Sequence, residues 1–479
     1  MPLFSPPGRE GLHQSLMGRK YSSPRSHSIL SVGSDISRAG SAVSFYEETV
    51  HFIMKEGSIW ASALNLVLCQ LGMSTLVLPS AMAIVGWAQA FLLFFIFFAL
   101  SLCSLFLLEK TCQALPGDSE VSSVGHLMTS IYGQAGALSM EFLMFLMSLG
   151  CQIFFLGVIG IQLHAVLQAI AGPQLPMSLL SDQSVTTIMC IVAFCVIGPI
   201  SLLPPESVRS FVSTTATGCM LFVMLVITLE APWRNAWPPL DACAGATDPG
   251  MEPADWLDGI PRLLKAIPLF VFSFNGPTGY LPVRHQLIAE SFDPLRGVSL
   301  FKACVLMFLG QGIVLSNYLV TSFMGYITFC GDTKPNVLDG YDVSQPCVVV
   351  AKAALALQLT CSCIGVWTPL NRASIWSLIG GLHAPMPHAT KVILTILCLA
   401  GPVAISASLG GRLALPMGLT SSVCLTAFCL VLPGVLAAKT GALGKTLCQR
   451  AIPSAYALFG AVLGIGCTVP LLMPSPPAQ

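Results

Sequence analysis

Residues 267–282 read IPLFVFSFNGPTGYLP. Both flanks are apolar, but the centre holds Asn275, Gly276, Pro277, Thr278 and Gly279. Pro277 has no backbone amide to donate and disfavours helix at Gly276. Gly276 and Gly279 add backbone freedom. This predicts a helix interrupted at its middle. In lipid, such an interruption is tolerated only where the freed amides and carbonyls line a cavity. Whether this stretch lies in lipid decides the fold.

The chain around it has 479 residues, 54% hydrophobic and 9% charged, with a mean hydropathy of +0.78. Soluble domains carry about 25% charged residues. So few charges cannot cover a soluble surface, which excludes a soluble enzyme, a nucleic-acid binder and a disordered scaffold. Eleven stretches contain no Asp, Glu, Lys or Arg and are long enough to span: 58–78, 87–108, 142–168, 186–203, 211–229, 266–283, 303–328, 353–370, 392–409, 413–434 and 453–472. None shows the alternation of a barrel strand. The expected fold is an all-α polytopic membrane protein with eleven transmembrane helices, residues 57–473.

Placing the N-terminus in the cytoplasm gives the inner segments 16 of the 22 Lys/Arg and 12 of the 22 Asp/Glu. The outer segments keep the remaining 6 and 10. That satisfies the positive-inside rule and puts the C-terminus, with its short tail 474–479, outside. Residues 1–56 are Ser-rich, carry scattered Arg and lack an apolar h-region, so they read as a disordered cytoplasmic tail rather than a signal peptide. Ser41, three residues after Arg38, is a candidate phosphorylation site there. Residues 121–133 are expected to form a short inner-surface helix. Of the 18 cysteines, Cys243, Cys330 and Cys347 fall in or beside outer loops, and one disulfide among them is expected in an oxidising compartment.

Span one is also irregular. It runs through Gln70, Leu71, Gly72, Met73, Ser74 and Thr75 to Leu78-Pro79. Spans one and six of eleven are offset as two inverted five-helix halves require, and paired interrupted segments point to a transporter's binding site. The N-terminal end of a half-helix suits a carboxylate. Half-helix C-terminal ends and unwound carbonyls suit an ammonium group or a cation. A zwitterionic amino acid has both needs, and no charged side chain lies in the spans.

These segments resemble the amino acid/auxin permease family, and in particular its sodium-coupled neutral amino acid transporter branch. The shared frame on span six is Ile267-Pro268, Phe272-Ser273-Phe274, Thr278, Leu281-Pro282 and Leu287. On span one it is Asn65-Leu66, Gly72, Ala81-Met82-Ala83 and Gly86. Pro199-Ile200-Ser201-Leu202-Leu203 ends span four, and Pro369-Leu370-Asn371-Arg372 ends span eight. The resemblance implies a leucine-transporter-type fold of five plus five helices and one more. It implies alternating access and a neutral amino acid held between the two breaks, with Gly72, Met73, Ser74 and Thr75 offering amides to its carboxylate. Val271, Phe272 and Ser273 would offer carbonyls to its ammonium, while Asn275 and Thr278 shape the side-chain pocket. The cation site implied by the branch keeps Ser362, with Thr360 close by, on span eight. On span one its asparagine is replaced by Leu68.

Sodium, proton or no coupling ion therefore all stay open. Proton coupling relies on intramembrane carboxylates or histidines; His164 is the only span histidine, and Glu141, Glu206 and Arg209 lie at inner span ends. An ion channel would show a repeated pore motif or a ring of charges. A membrane enzyme would show a nucleophile–base set or a metal cluster. No such pattern is present, and no cofactor, metal or nucleic-acid partner is expected. The alternatives are an ion channel, or a proton-coupled or uncoupled carrier of another small zwitterion. The protein is expected to work as a monomer in the plasma membrane or a vacuolar/lysosomal membrane.

Overall fold

The computed structural model describes residues 59–115, 124–171, 182–203, 205–230, 256–289, 299–381, 386–410, 413–444 and 446–472. The N-terminal tail and Cys243 lie outside them. No β-strand occurs among the described residues. The helices are α1 (Ile59–Leu68), α2 (Met73–Val85), α3 (Trp87–Gln113), α4 (Val124–Ala171) and α5 (Asp182–Ile191). Next come α6 (Pro205–Leu229), α7 (Trp256–Ser273), α8 (Gly276–Ala289), α9 (Leu300–Phe329) and α10 (Pro346–Ser362). The last are α11 (Thr368–Gly380), α12 (His388–Ser408), α13 (Ala414–Leu419), α14 (Leu432–Thr440) and α15 (Leu447–Leu472).

Eight of the described helical stretches are long and apolar enough to cross a bilayer, and the bent α1–α2 pair makes nine. The chain is a multi-pass membrane protein. The surface helix expected at 121–133 is the first arm of α4, whose backbone turns at Gly133 (φ 66°). Glycine suits a positive φ because it has no Cβ.

Prolines shape the long helices through the carbonyl they orphan four residues earlier. π-helical turns at Val192–Ile197, Cys363–Trp367 and Ala427–Val431 each precede a proline, Pro199, Pro369 and Pro433. The orphan before Pro433, Cys429 O, accepts the Ser104 hydroxyl of α3 at 2.5 Å.

Two sets of helices follow from the packing. In one, α1 and α2 pack on α9, α2 on α7, α1 on α8, and α3 on α8 and α9. Phe270 of α7 sits 5.0 Å from Phe94 and 5.7 Å from Phe97 of α3, ring centre to ring centre. In the other, α4 is flanked by α10, α11 and α12, and α6 packs on α10. A buried polar chain crosses this second set: Gln152 Nε2 donates to Thr368 Oγ1 (2.9 Å) and Asn371 Nδ2 to Gln152 Oε1 (3.0 Å). Between α9 and α10, the connecting loop is pinned by Asp339, which accepts from Gln162 (2.8 Å) and Lys352 (3.3 Å). In that loop burial pushes the Tyr341 hydroxyl up to about 12, and its ring stands 4.8 Å from Phe329.

Candidate binding site at two broken helices

The helix started at Ile59 stops at Leu68 and resumes at Met73, with the axes bent by 59°. The second stops at Ser273 and resumes at Gly276. The positions at which sequence composition predicts interruptions are those at which the structure breaks.

Each break exposes half-helix ends. At the start of α2 the Thr75 amide folds back to Gly72 O at 3.1 Å. The amides of Gly72, Met73 and Ser74 have no acceptor among the described residues. Three of the four expected carboxylate donors are thus available. At the end of α7, Phe274 N reaches Phe270 O (2.9 Å), while Val271 O receives no amide among the described residues. Ser273 O cannot be served from four residues on, because that residue is Pro277.

Tyr318 of α9 supplies the missing contact. Its hydroxyl is 3.0 Å from Ser273 O, 2.8 Å from Gln70 O and 2.9 Å from Ser74 Oγ. Ser74 Oγ in turn lies 3.0 Å from Gln70 O. One buried phenol therefore bridges both breaks. Two hydroxyl protons serve four close contacts, so the cluster has an excess of acceptors. The sequence reading missed Tyr318, which lies 45 residues from Ser273 and 248 from Gln70 on an otherwise plain span.

At and around the breaks, several polar atoms have no partner among the described residues: Gln70 Oε1, Ser101 Oγ, Asn275 Oδ1 and both amide atoms of Gln311. Three of these converge on Gly276. A Cβ there would lie 2.2 Å from Gln311 Nε2 and 3.3 Å from both Gln70 Oε1 and Ser101 Oγ. Any side chain here would have to displace the Gln311 amide. Ser101 differs from Ser104 and Thr111 on the same helix, which both bond back to a carbonyl four residues earlier. Thr278 does not face a ligand with its hydroxyl proton, which is donated to Asn275 O at 2.7 Å.

The expected cation ligands Thr360 and Ser362 both lie on α10. Thr360 Oγ1 donates to Ala356 O and Ser362 Oγ to Gln358 O, both within α10. The α10 side chain set against Gly72 is Gln358, its Nε2 3.9 Å from where a Cβ would be. Of the disulfide candidates, Cys330 is disulfide-bonded and Cys347 is free, with its thiol 3.1 Å from a Glu230 carboxylate oxygen. Cys347 is thereby removed from the expected pairing. His164 lies in α4 beside Gln168 (3.4 Å), away from both breaks in sequence.

The largest departure concerns charge. Glu109 of α3 and Arg284 of α8 form a fully buried ion pair at 2.5 Å. Tyr280 donates to the same carboxylate (2.8 Å), as does Gln113 Nε2 (2.9 Å). Each charge sits one residue beyond a charge-free stretch, 87–108 or 266–283. Counting charges inside spans could not find it.

The curated sodium-coupled neutral amino acid transporter 7 of Danio rerio is 22% identical over 242 residues, which are 50% of this chain and 48% of that protein. The chain thus spans about half the length of the curated relative it matches. A family model, described as transmembrane amino acid transporter protein, matches residues 55–472, both breaks and Tyr318 included. The chain belongs to the transmembrane amino acid transporter family.

Proposed function

We propose that this protein is a secondary transporter that moves neutral amino acids across a membrane by alternating access. The observation that carries this reading is the pairing of opposite half-helix ends. Three amides at the start of α2 stand ready for a carboxylate, and α2 packs against α7, whose terminal carbonyls suit an ammonium group. The acceptor excess around Tyr318 favours a donor-only group such as ammonium. In this reading Gly72, Met73 and Ser74 hold the carboxylate, Val271, Phe272 and Ser273 face the ammonium, and Asn275 borders the side chain. No unpaired carboxylate stands beside the breaks among the described residues, which favours neutral over cationic substrates.

The eight long apolar stretches, the bent α1–α2 pair, α6 and the α7–α8 pair make eleven crossings. The breaks then open spans one and six, as two inverted five-helix repeats with an added helix require. The N-terminus is cytoplasmic by the distribution of Lys and Arg.

Uptake of labelled neutral amino acids into proteoliposomes, with sodium and pH gradients imposed separately, tests substrate and driving ion together. Absence of transport under every gradient would overturn the proposal. Ser74→Trp and Gly276→Trp should each abolish uptake with near-normal membrane expression, and wild-type rates would reduce the breaks to simple kinks.

A further inference from the structure

At the first break, one side chain reaches in from the other set of helices. Gln358 of α10 is 6% exposed, and its Nε2 lies 3.9 Å from where a Cβ on Gly72 would be. That nitrogen is therefore at most about 6.4 Å from the amide nitrogen of Gly72. Helix α10 packs on α4 and α6, so Gln358 brings the second set of helices to the break of the first.

Hydrogen bonds fix how this amide is turned. Ser362 Oγ gives its one proton to Gln358 O at 3.1 Å, so toward the side chain it can only accept. Gln358 Nε2 donates to it at 3.2 Å. The amide nitrogen carries two protons and spends one there. Its Oε1 has no partner among the described residues. Buried polar atoms are rarely left unpaired. A free donor and a free acceptor on one buried side chain point to a ligand that supplies both partners. Across from it, the amides of Gly72, Met73 and Ser74 are unspent, while that of Thr75 is spent on Gly72 O. Gln358 stands beside the one row of donors from which a member is missing.

We propose that Gln358 is a substrate-binding residue whose free N–H replaces the Thr75 amide as the fourth donor to the substrate carboxylate. This rests on the reading of the breaks as an amino acid site and deepens it. A carboxylate that accepts at about 2.9 Å on each side spans the gap between Gln358 and Gly72. The unpaired Oε1 is an acceptor, which suits the ammonium group of the same zwitterion. The carboxylate is then held by α2 of one set and α10 of the other. Binding favours whichever arrangement of the two sets brings Gln358 and Gly72 together.

The test uses the purified full-length protein in proteoliposomes, given labelled alanine, serine or leucine. Each is competed with its own unlabelled amide, which keeps the ammonium group and lacks the carboxylate. Gln358→Leu should raise KM for the amino acid about tenfold, the worth of one hydrogen bond to a charged group. Inhibition by the amino acid amide should change much less. Gln358→Glu sets a carboxylate against the substrate's own, so the amino acid should bind worse still and its amide better than in wild type. A variant that only loosens the fold would weaken both together. Gln358→Asn keeps the polar group but falls one methylene short, and should raise KM in the same selective way if the other two do not fold. An unchanged KM in the variants, or parallel loss of amino acid and amide, would overturn the proposal. Failure of the wild type to take up any of the three would instead overturn the reading of the breaks on which it rests.

Discussion

The two broken helices look alike at their breaks and differ in what holds the half beyond them. Half-helix α8 is fastened to α3 by charge: Arg284 and Tyr280 both reach Glu109, all three fully buried. Half-helix α1 has no such fastening. Among the described residues no ion pair or side-chain hydrogen bond links α1 to another helix. Ala63 and Leu66 are buried by contact alone, and Leu66 packs into the space left by Gly310 of α9, 3.0 Å from where a Cβ would be. Dispersion contacts re-form at shifted registers, whereas a buried ion pair holds one geometry. Of the two halves, α1 is therefore expected to open more readily than α8, which the ion pair ties to α3.

The largest effect should come from breaking the charged fastening. Removing one partner of a buried pair leaves an uncompensated charge and costs about 3–5 kcal/mol. Arg284→Leu and Glu109→Leu should each unfold at markedly lower temperature, in detergent, than wild type. Replacing both with leucine should recover most of the loss, since apolar pairs of similar volume substitute well. If the double variant is as unstable as the sum of the singles, the pair is not acting as a unit. No matching loss is expected from any single polar change in α1.

A smaller effect probes what the breaks share. Tyr318→Phe keeps the ring, which stands 5.5 Å from Phe274, and removes only the hydroxyl. Ser273 O and Gln70 O then lose their common donor, and a buried unsatisfied group costs about 1–3 kcal/mol. Uptake should fall while the protein still folds, and Ser74→Ala should weaken the same cluster less. An unaffected Tyr318→Phe would show that the breaks are held separately.

Much of this was legible in the sequence, and the reason is chemical. Asn275-Gly276-Pro277 and Gly72-Met73-Ser74 combine residues that oppose helix with runs that oppose water, so the breaks could be placed to within a residue or two. Eight of the long apolar stretches, and the bent pair α1–α2, were legible for the same reason. The partners of the breaks were not. Tyr318, Gln311 and Ser101 sit on ordinary apolar helices, and only packing brings them within reach. Glu109 and Arg284 escaped a search for charge inside the spans because each falls just past a charge-free stretch. Their burial depends on α3 and α8 lying side by side, which no local pattern records. Thr360 and Ser362 were carried over by position alone, and both hydroxyls donate within their own helix, which leaves an oxygen lone pair on each for a cation.

The subtlest prediction concerns motion directly. Amides open locally with free energies that follow how firmly each segment is packed and bonded. Both α1 and α8 are short half-helices with an unpaired end at a break, so their intrinsic fraying is similar. The difference lies in the Glu109–Arg284 fastening, which opening of α8 would have to disrupt and opening of α1 would not. Hydrogen exchange followed by mass spectrometry should therefore show peptides covering 59–68 exchanging faster than those covering 276–289. In Arg284→Leu the α8 peptides should approach the α1 rate, while the α1 peptides stay unchanged. Equal protection of the two halves in the wild type would mean that apolar packing against Gly310 holds α1 as firmly as charge holds α8, and the proposed asymmetry of motion would fall.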